Sequence, residues 1–140
     1  MTNINTNTKF YDIFNTKLNE FMVDLIKTFP DDVDFKLFRN SLKLLIMADN
    51  RKPQQLFSKY LTKTYRENIQ KRNDEFFINT KYEDIKDKEV NDNKSDDKDN
   101  INRQLLDKLK GYWGILNEAN RDIIWKYFEI LVKIHDKCVS

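Results

Sequence analysis

The stretch Arg121–Lys137, RDIIWKYFEILVKIHDK, decides the fold of this chain. Apart from Arg121 and Lys137 at its two ends, its charged residues recur at intervals of four and three positions, which places them in one narrow stripe of an α-helix. They are Asp122, Lys126, Glu129, Lys133 and Asp136. Every other residue from Ile123 to Ile134 is apolar. A helix that is apolar over most of its circumference has to be surrounded, so we predict a buried C-terminal helix at the centre of a bundle.

The first predicted helix runs from about Lys9 to Thr28, because its apolar residues share one face, and residues 1–8 before it are predicted to be loose. The second follows Pro30-Asp31-Asp32, whose acids can accept hydrogen bonds from the free N–H groups of a helix start. Its predicted buried face consists of Phe35, Phe38, Leu42, Leu45 and Ile46, broadened by Leu37, Leu44 and Met47. Both helices therefore present an apolar face to the predicted bundle.

The third predicted helix spans Pro53–Gln70, since proline is favoured in the first turn of a helix. Asn73 can cap a short helix at Asp74–Asn79, and the fourth long helix resumes near Asn102. With the C-terminal helix, these elements predict one all-α domain over residues 1–140, a bundle of about five helices and a sixth short one.

Residues 83–100, EDIKDKEVNDNKSDDKDN, differ sharply in composition from the segments on either side. Eight acidic residues stand against four lysines, and only Ile85 and Val90 are apolar. Such a segment buries too little apolar surface to offset the conformational entropy that ordering would cost. We therefore predict a disordered acidic loop that is inserted within the domain.

The overall composition excludes several classes of protein. The formal net charge of +2 is too small to indicate a partner of opposite charge. The single cysteine, Cys138, rules out an internal disulfide and fits a reducing compartment. No apolar run approaches the roughly 20 residues that span a bilayer, and the N-terminus lacks the pattern of a signal peptide. We expect an intracellular protein that does not enter a membrane and is not secreted.

Signals of enzyme chemistry are almost absent. His135, the only histidine, could share a metal with Cys138, but a zinc site needs more ligands and a catalytic histidine needs arranged partners. Asp31, Asp32 and Asp34 stand where a helix start favours acids, so capping is preferred over a metal cluster. Two glycines leave no phosphate-binding loop, and no EF-hand register fits. We expect no enzyme, no cofactor or metal, and no small-molecule substrate.

Residues 51–72 carry an excess of positive charge. On one continuous helix, four basic side chains would form a row within about 60° along about 21 Å of axis, and such a row could follow a phosphate backbone. They are Lys52, Lys59, Lys63 and Arg66. The alternative is a solvated lysine face in a lysine-rich chain. This row makes nucleic-acid binding the second functional hypothesis.

The aromatic content supports the leading hypothesis. With ten Phe, six Tyr and two Trp in a small bundle, some apolar surface is expected to stay uncovered and to bind a partner protein or a second copy. Large aromatic side chains anchor interfaces, and the candidates are Phe76, Phe77 and Trp113. The alternative is that each belongs to the core. The leading hypothesis is a non-enzymatic helical protein with an interaction or structural role.

Six short motifs follow one another along the chain, interrupted by the acidic loop. They are Phe29–Asp32, Arg51–Pro53, Tyr65–Arg66, Asp74–Phe77, Trp113 and Ile124–Tyr127. This order resembles a group of small helical proteins of large nucleocytoplasmic DNA viruses, the giant viruses and their algal-virus relatives. The motifs bracket most of the chain, although each is short. The resemblance implies a viral origin and a place in the host cytoplasm, the virus factory or the virion, and it implies no activity and no catalytic residue.

Overall fold

Seven α-helices form the part of the chain that a computed structural model describes, residues 2–79 and 101–139 without the side chains of residues 2–7, 77, 79, 101 and 102. They are α1 (Thr2–Thr28), α2 (Val33–Ala48), α3 (Lys52–Tyr60), α4 (Lys63–Lys71), α5 (Asp74–Asn79), α6 (Ile101–Trp113) and α7 (Glu118–Val139). Within these ranges no residue lies in a β-strand, and the predicted all-α class is confirmed. The disordered acidic loop predicted at residues 83–100 lies outside the described residues.

Side-chain caps explain where several helices begin. At the start of α2, Asp32 accepts a hydrogen bond from the backbone N–H of Asp34 at 2.9 Å. At the start of α5, Asn73 accepts one from the backbone N–H of Phe76 at 3.2 Å. Asn117 caps α7 in the same way at 2.8 Å. The caps at Asp32 and Asn73 lie where the sequence analysis predicts them.

Two predicted boundaries differ from the structure. α1 begins at Thr2 and not near Lys9, because a helix that is already nucleated extends through polar residues at little cost. The predicted helix Pro53–Gln70 is two helices, since the chain leaves helical geometry at residues 61–62. There the hydroxyl of Thr62 accepts a hydrogen bond from the backbone N–H of Tyr65 at 3.2 Å. Threonine competes with the helix backbone in this way, so it favours a helix start over a helix interior.

The helices belong to two compact units. The first contains Met1–Gln55 and Tyr127–Ser140, and the second contains Leu56–Lys126. α3 and α7 therefore each contribute residues to both units. The single domain over residues 1–140 stays a prediction.

In the first unit, α1 packs against α2 and against the C-terminal half of α7. Phe21 stacks on Tyr127 with 4.7 Å between ring centroids and meets Phe128 edge-on at 5.8 Å. The Tyr127 hydroxyl donates a hydrogen bond to the carboxylate of Asp24. Burial, and then this carboxylate, raise the pKa of Tyr127. The core is completed by Phe14, Leu18, Met22, Leu25, Phe35, Phe38, Leu42, Leu131 and Val132.

The C-terminal helix is buried, as predicted, but along one face and not around most of its circumference. Its buried residues are Ile124, Trp125, Phe128, Leu131, Val132, His135 and Cys138. Ile123 and Ile130 stay exposed beside the charged stripe, so the solvent-facing side of α7 is wider than the charged residues alone indicate. The buried face repeats every three or four residues, which is the spacing of a helix packed along its length.

In the second unit, one carboxylate joins three helices. Asp74, in the first turn of α5, accepts hydrogen bonds through Oδ1 from the indole N–H groups of Trp113 and Trp125, each at 3.0 Å. The two indole rings meet edge-on with 5.3 Å between centroids. Arg121 donates to the backbone carbonyl of Trp113 at 3.0 Å and 2.7 Å, and its guanidinium lies 3.6 Å from Oδ2 of Asp74. Buried indole N–H groups need acceptors, and Asp74 serves both.

Candidate interaction surface

An exposed apolar stripe runs along the outer face of α2. Its four members, which we call the α2 stripe, have relative exposures of 62% for Val33, 56% for Leu37, 67% for Leu44 and 82% for Met47. At 3.6 residues per turn they lie within about 80° of one another along about 21 Å of axis. The buried residues of α2 occupy the opposite face; they are Phe35, Phe38 and Leu42. The helix is therefore apolar on two opposite sides, and only one of them is buried.

The prediction that Leu37, Leu44 and Met47 broaden the buried face of α2 is wrong. α2 packs through the side that carries Phe38 and Leu42, and among the described residues nothing covers the opposite side to the same extent. The signal was present in the sequence, because a helix that is apolar on two opposite sides needs two neighbours. The sequence analysis assigned all these residues to one wide buried face and did not recognise the second apolar side.

The spacing within the α2 stripe is that of a coiled-coil contact line. Val33, Leu37, Asn40, Leu44 and Met47 follow one another at intervals of four, three, four and three residues, an average repeat of 3.5. Asn40 is exposed like its apolar neighbours. Large exposed apolar patches on a folded domain mark sites that bind another protein. The geometry of this face fits a second helix lying along α2.

The structure describes the side chains of two of the three aromatic candidates, Trp113 and Phe76. Trp113 has 0% exposure and donates to Asp74, so it belongs to the core and cannot anchor a partner on the folded chain. Phe76 is half-buried and meets Tyr65 edge-on with 5.5 Å between centroids, which also gives it an internal role. The side chain of Phe77 lies outside the described residues. Among the described residues, exposed large apolar side chains also occur elsewhere, but four of them lie in line on α2.

The four basic candidates do not form one helical row. The break at residues 61–62 separates Lys52 and Lys59 on α3 from Lys63 and Arg66 on α4, so the predicted angular relation does not hold. Lys52 belongs to the first unit, and the other three belong to the second. Lys52 and Lys63 are exposed, whereas Lys59 and Arg66 are half-buried. The threonine cap at the start of α4 is the physical reason for the break.

His135 and Cys138 lie on the buried face of α7. The side-chain amide N–H of Gln54 donates to Nδ1 of His135 at 2.6 Å, an interaction that gives this buried ring a polar partner. In residues 2–79 and 101–139, His, Cys, Asp and Glu side chains form no group of three that could hold a metal ion. None of the described helices combines the length and the apolar content that crossing a bilayer requires.

Cys138 is expected to react slowly with thiol reagents in the native protein. Burial raises the pKa of this thiol from its ordinary value to about 11, which lowers the reactive thiolate fraction at pH 8 about 100-fold. Ellman's reagent measures the rate cleanly because Cys138 is the only cysteine, and the unfolded chain in guanidinium is the matched control. Native and unfolded rates within threefold of each other would show that the thiol is accessible.

The raised pKa of Cys138 also makes the free energy of unfolding depend on pH. Since the folded state holds the thiol proton more tightly than the unfolded chain does, the contribution is complete below about pH 9 and is lost as the pH rises to about 11. Tyr65, whose pKa burial raises to about 12, adds a loss of the same sign above pH 10.

No protein-family model, curated protein or solved structure matches this chain.

Proposed function

We propose that this chain is a non-enzymatic interaction protein that binds another polypeptide through the α2 stripe. The observation that carries the proposal is the exposure of four large apolar side chains in line on one helix, at 56–82% each. In a folded domain such side chains cost solvation free energy, and a partner that covers them recovers it.

The size of the surface limits the affinity that the α2 stripe can supply by itself. Complete burial of a large apolar side chain contributes about 1.5–3 kcal/mol, and the four members of the α2 stripe are already partly buried, so each would contribute less. Association consumes several kcal/mol of translational and rotational freedom. The net affinity therefore depends on additional contacts beside the α2 stripe.

The place of action that we propose is the host cytoplasm or virus factory of a large DNA virus, with incorporation into the virion as the structural variant of this role. Its support is the resemblance of the six short motifs to small helical proteins of those viruses.

Photocross-linking tests the proposed interaction directly. With a benzophenone amino acid at Leu44 or Met47, we expect cross-linked polypeptide in cells, because these side chains are the most exposed of the α2 stripe. The matched control is the same amino acid at Lys133, an exposed position of α7 in the same unit. The variant Leu37→Glu/Leu44→Glu should lose the cross-links of Met47 and should melt within a few degrees of the unchanged protein, because exposed positions contribute little to stability. Equal cross-linking from Lys133 would contradict the proposal.

Nucleic-acid binding by residues 51–72 is the second candidate, and we expect its test to be negative. The two exposed lysines Lys52 and Lys63 lie on different helices, so four aligned phosphate contacts are not available on one helix. A short DNA duplex should bind no tighter than about 10⁻⁴ M at physiological salt, the weak end of non-specific affinity. A micromolar complex that is abolished by Lys59→Glu/Lys63→Glu, with the slope of about −0.9 per contact expected on a log–log salt plot, would reverse this ranking.

A further inference from the structure

We propose that the partner of α2 is an amphipathic helix of another protein with acidic residues beside its apolar face, which pairs with the α2 stripe as a two-stranded coiled coil. This inference rests on the proposed function and adds the chemistry of the partner. It follows from the repeat of the α2 stripe and from the charges on its two flanks.

The flanks of the α2 stripe are chemically unequal. With Leu37 and Leu44 at the a positions of a heptad, the residues that immediately precede them, Lys36 and Lys43, occupy the g positions. Both lysines are exposed, and neither has an ion-pair partner among the described residues. The other flank, the e positions, carries Asp34, Ser41 and Ala48. One side of the contact line thus carries one lysine in each of its two heptads.

A second copy of this chain does not complement that basic flank. In a parallel pair, each g residue faces the e residue of the next heptad on the partner, so Lys36 would face Ser41 and Lys43 would face Ala48. In an antiparallel pair, g faces g, and lysine would face lysine. Neither arrangement supplies an acid. A helix with glutamate or aspartate at its flanking positions supplies one in either orientation.

α2 is already helical before a partner binds, which lowers the entropy cost of pairing. Two heptads are too short for an isolated coiled coil, but α2 is already folded against α1, so only the incoming helix has to be ordered. Asn40 interrupts the apolar line at its centre. A polar residue at one such position fixes the register of pairing, because only a partner with a polar group opposite it leaves no amide unsatisfied.

Synthetic helices test the inference with the full-length protein. Two 21-residue peptides share a leucine and isoleucine contact line with one asparagine to pair with Asn40, and they differ only at e and g, where one carries glutamate and the other lysine. We expect the glutamate peptide to bind at least about tenfold more tightly at 50 mM salt, measured by fluorescence anisotropy, because two lysines change from repulsion to attraction. The difference should shrink at 500 mM salt, where charges on the surface are screened.

Charge reversal on α2 should reverse the preference. Lys36→Glu/Lys43→Glu is expected to bind the lysine peptide more tightly than the glutamate peptide. Lys27→Glu/Lys133→Glu, which changes the net charge equally at exposed positions outside α2, should keep the original order. If both double variants change the peptide preference equally, net charge and not position determines it, and the inference is overturned.

The remaining outcomes separate this inference from the proposed function. Equal affinity for both peptides overturns the acidic partner, while cross-linking from Leu44 and Met47 would still support an interaction through α2. Sedimentation of a dimer that Leu44→Glu dissociates overturns the inference by making a second copy the occupant. Absence of cross-linking from α2 in cells overturns the proposed function, whichever peptide binds in vitro.

Discussion

Replacing Trp125 by alanine is expected to lower the free energy of unfolding by about 3–5 kcal/mol, the range for truncating a buried large aromatic side chain. Trp125 is buried on α7, its ring meets that of Trp113, and its indole N–H donates to Asp74. Alanine removes all three contributions and leaves a cavity between α5, α6 and α7. Urea unfolding followed by far-UV circular dichroism measures the loss.

The variant Trp125→Phe separates ring packing from the hydrogen bond. Phenylalanine keeps most of the apolar contact and lacks the N–H donor, so it should cost about 1–2 kcal/mol and lie between the unchanged protein and Trp125→Ala. Quenching of the native tryptophan fluorescence by iodide tests the burial of Trp113 and Trp125 independently. Both tryptophans are buried, and quenching as efficient as that of free tryptophan would contradict their burial.

The second large effect is expected at Asp74. The variant Asp74→Ala should lower the free energy of unfolding by about 2–4 kcal/mol, because the buried indole N–H groups of Trp113 and Trp125 lose their shared acceptor. The ion pair with Arg121 contributes little of this amount, since Asp74 and Arg121 are both partly exposed.

Asparagine at position 74 provides the sharpest comparison. It keeps one carbonyl oxygen that can accept from both indoles and removes the charge, so Asp74→Asn should recover more than half of the loss. Glu75→Ala is the positional control, because Glu75 is exposed in the same first turn of α5 and should change stability by less than about 0.5 kcal/mol. If Asp74→Ala and Glu75→Ala have equal effects, the carboxylate does not hold the two indoles.

These two variants lie in the second unit, and the α2 stripe lies in the first. The two kinds of residue should therefore respond differently: Trp125 and Asp74 change stability, whereas Leu44 and Met47 change binding and leave stability almost unaltered. A half-buried carboxylate that accepts from two buried indole N–H groups and an exposed apolar line both depart from the usual distribution of residues. Each has a local explanation, the first in the hydrogen bonds of Asp74 and the second in the partner that we propose.

The sequence by itself determined the all-α class and the starts of α2 and α5. The all-α class followed from apolar residues at helical spacing, and the caps at Asp32 and Asn73 followed from side chains that accept hydrogen bonds from a helix start. The apolar face of the C-terminal helix was equally readable. All these features depend on residues within a few positions of one another, so a linear pattern contains them.

The tertiary structure alone decided which apolar residues are covered. Helical spacing shows that Val33, Leu37, Leu44 and Met47 share a side of α2, but it cannot tell which of two apolar sides meets α1. Helical spacing also does not predict that Asp74 contacts Trp113 and Trp125, which follow 39 and 51 positions later in the chain. Contacts over such distances depend on how the helices are arranged in space, and the hydrogen bonds and buried surface that fix this arrangement exist only in the folded chain.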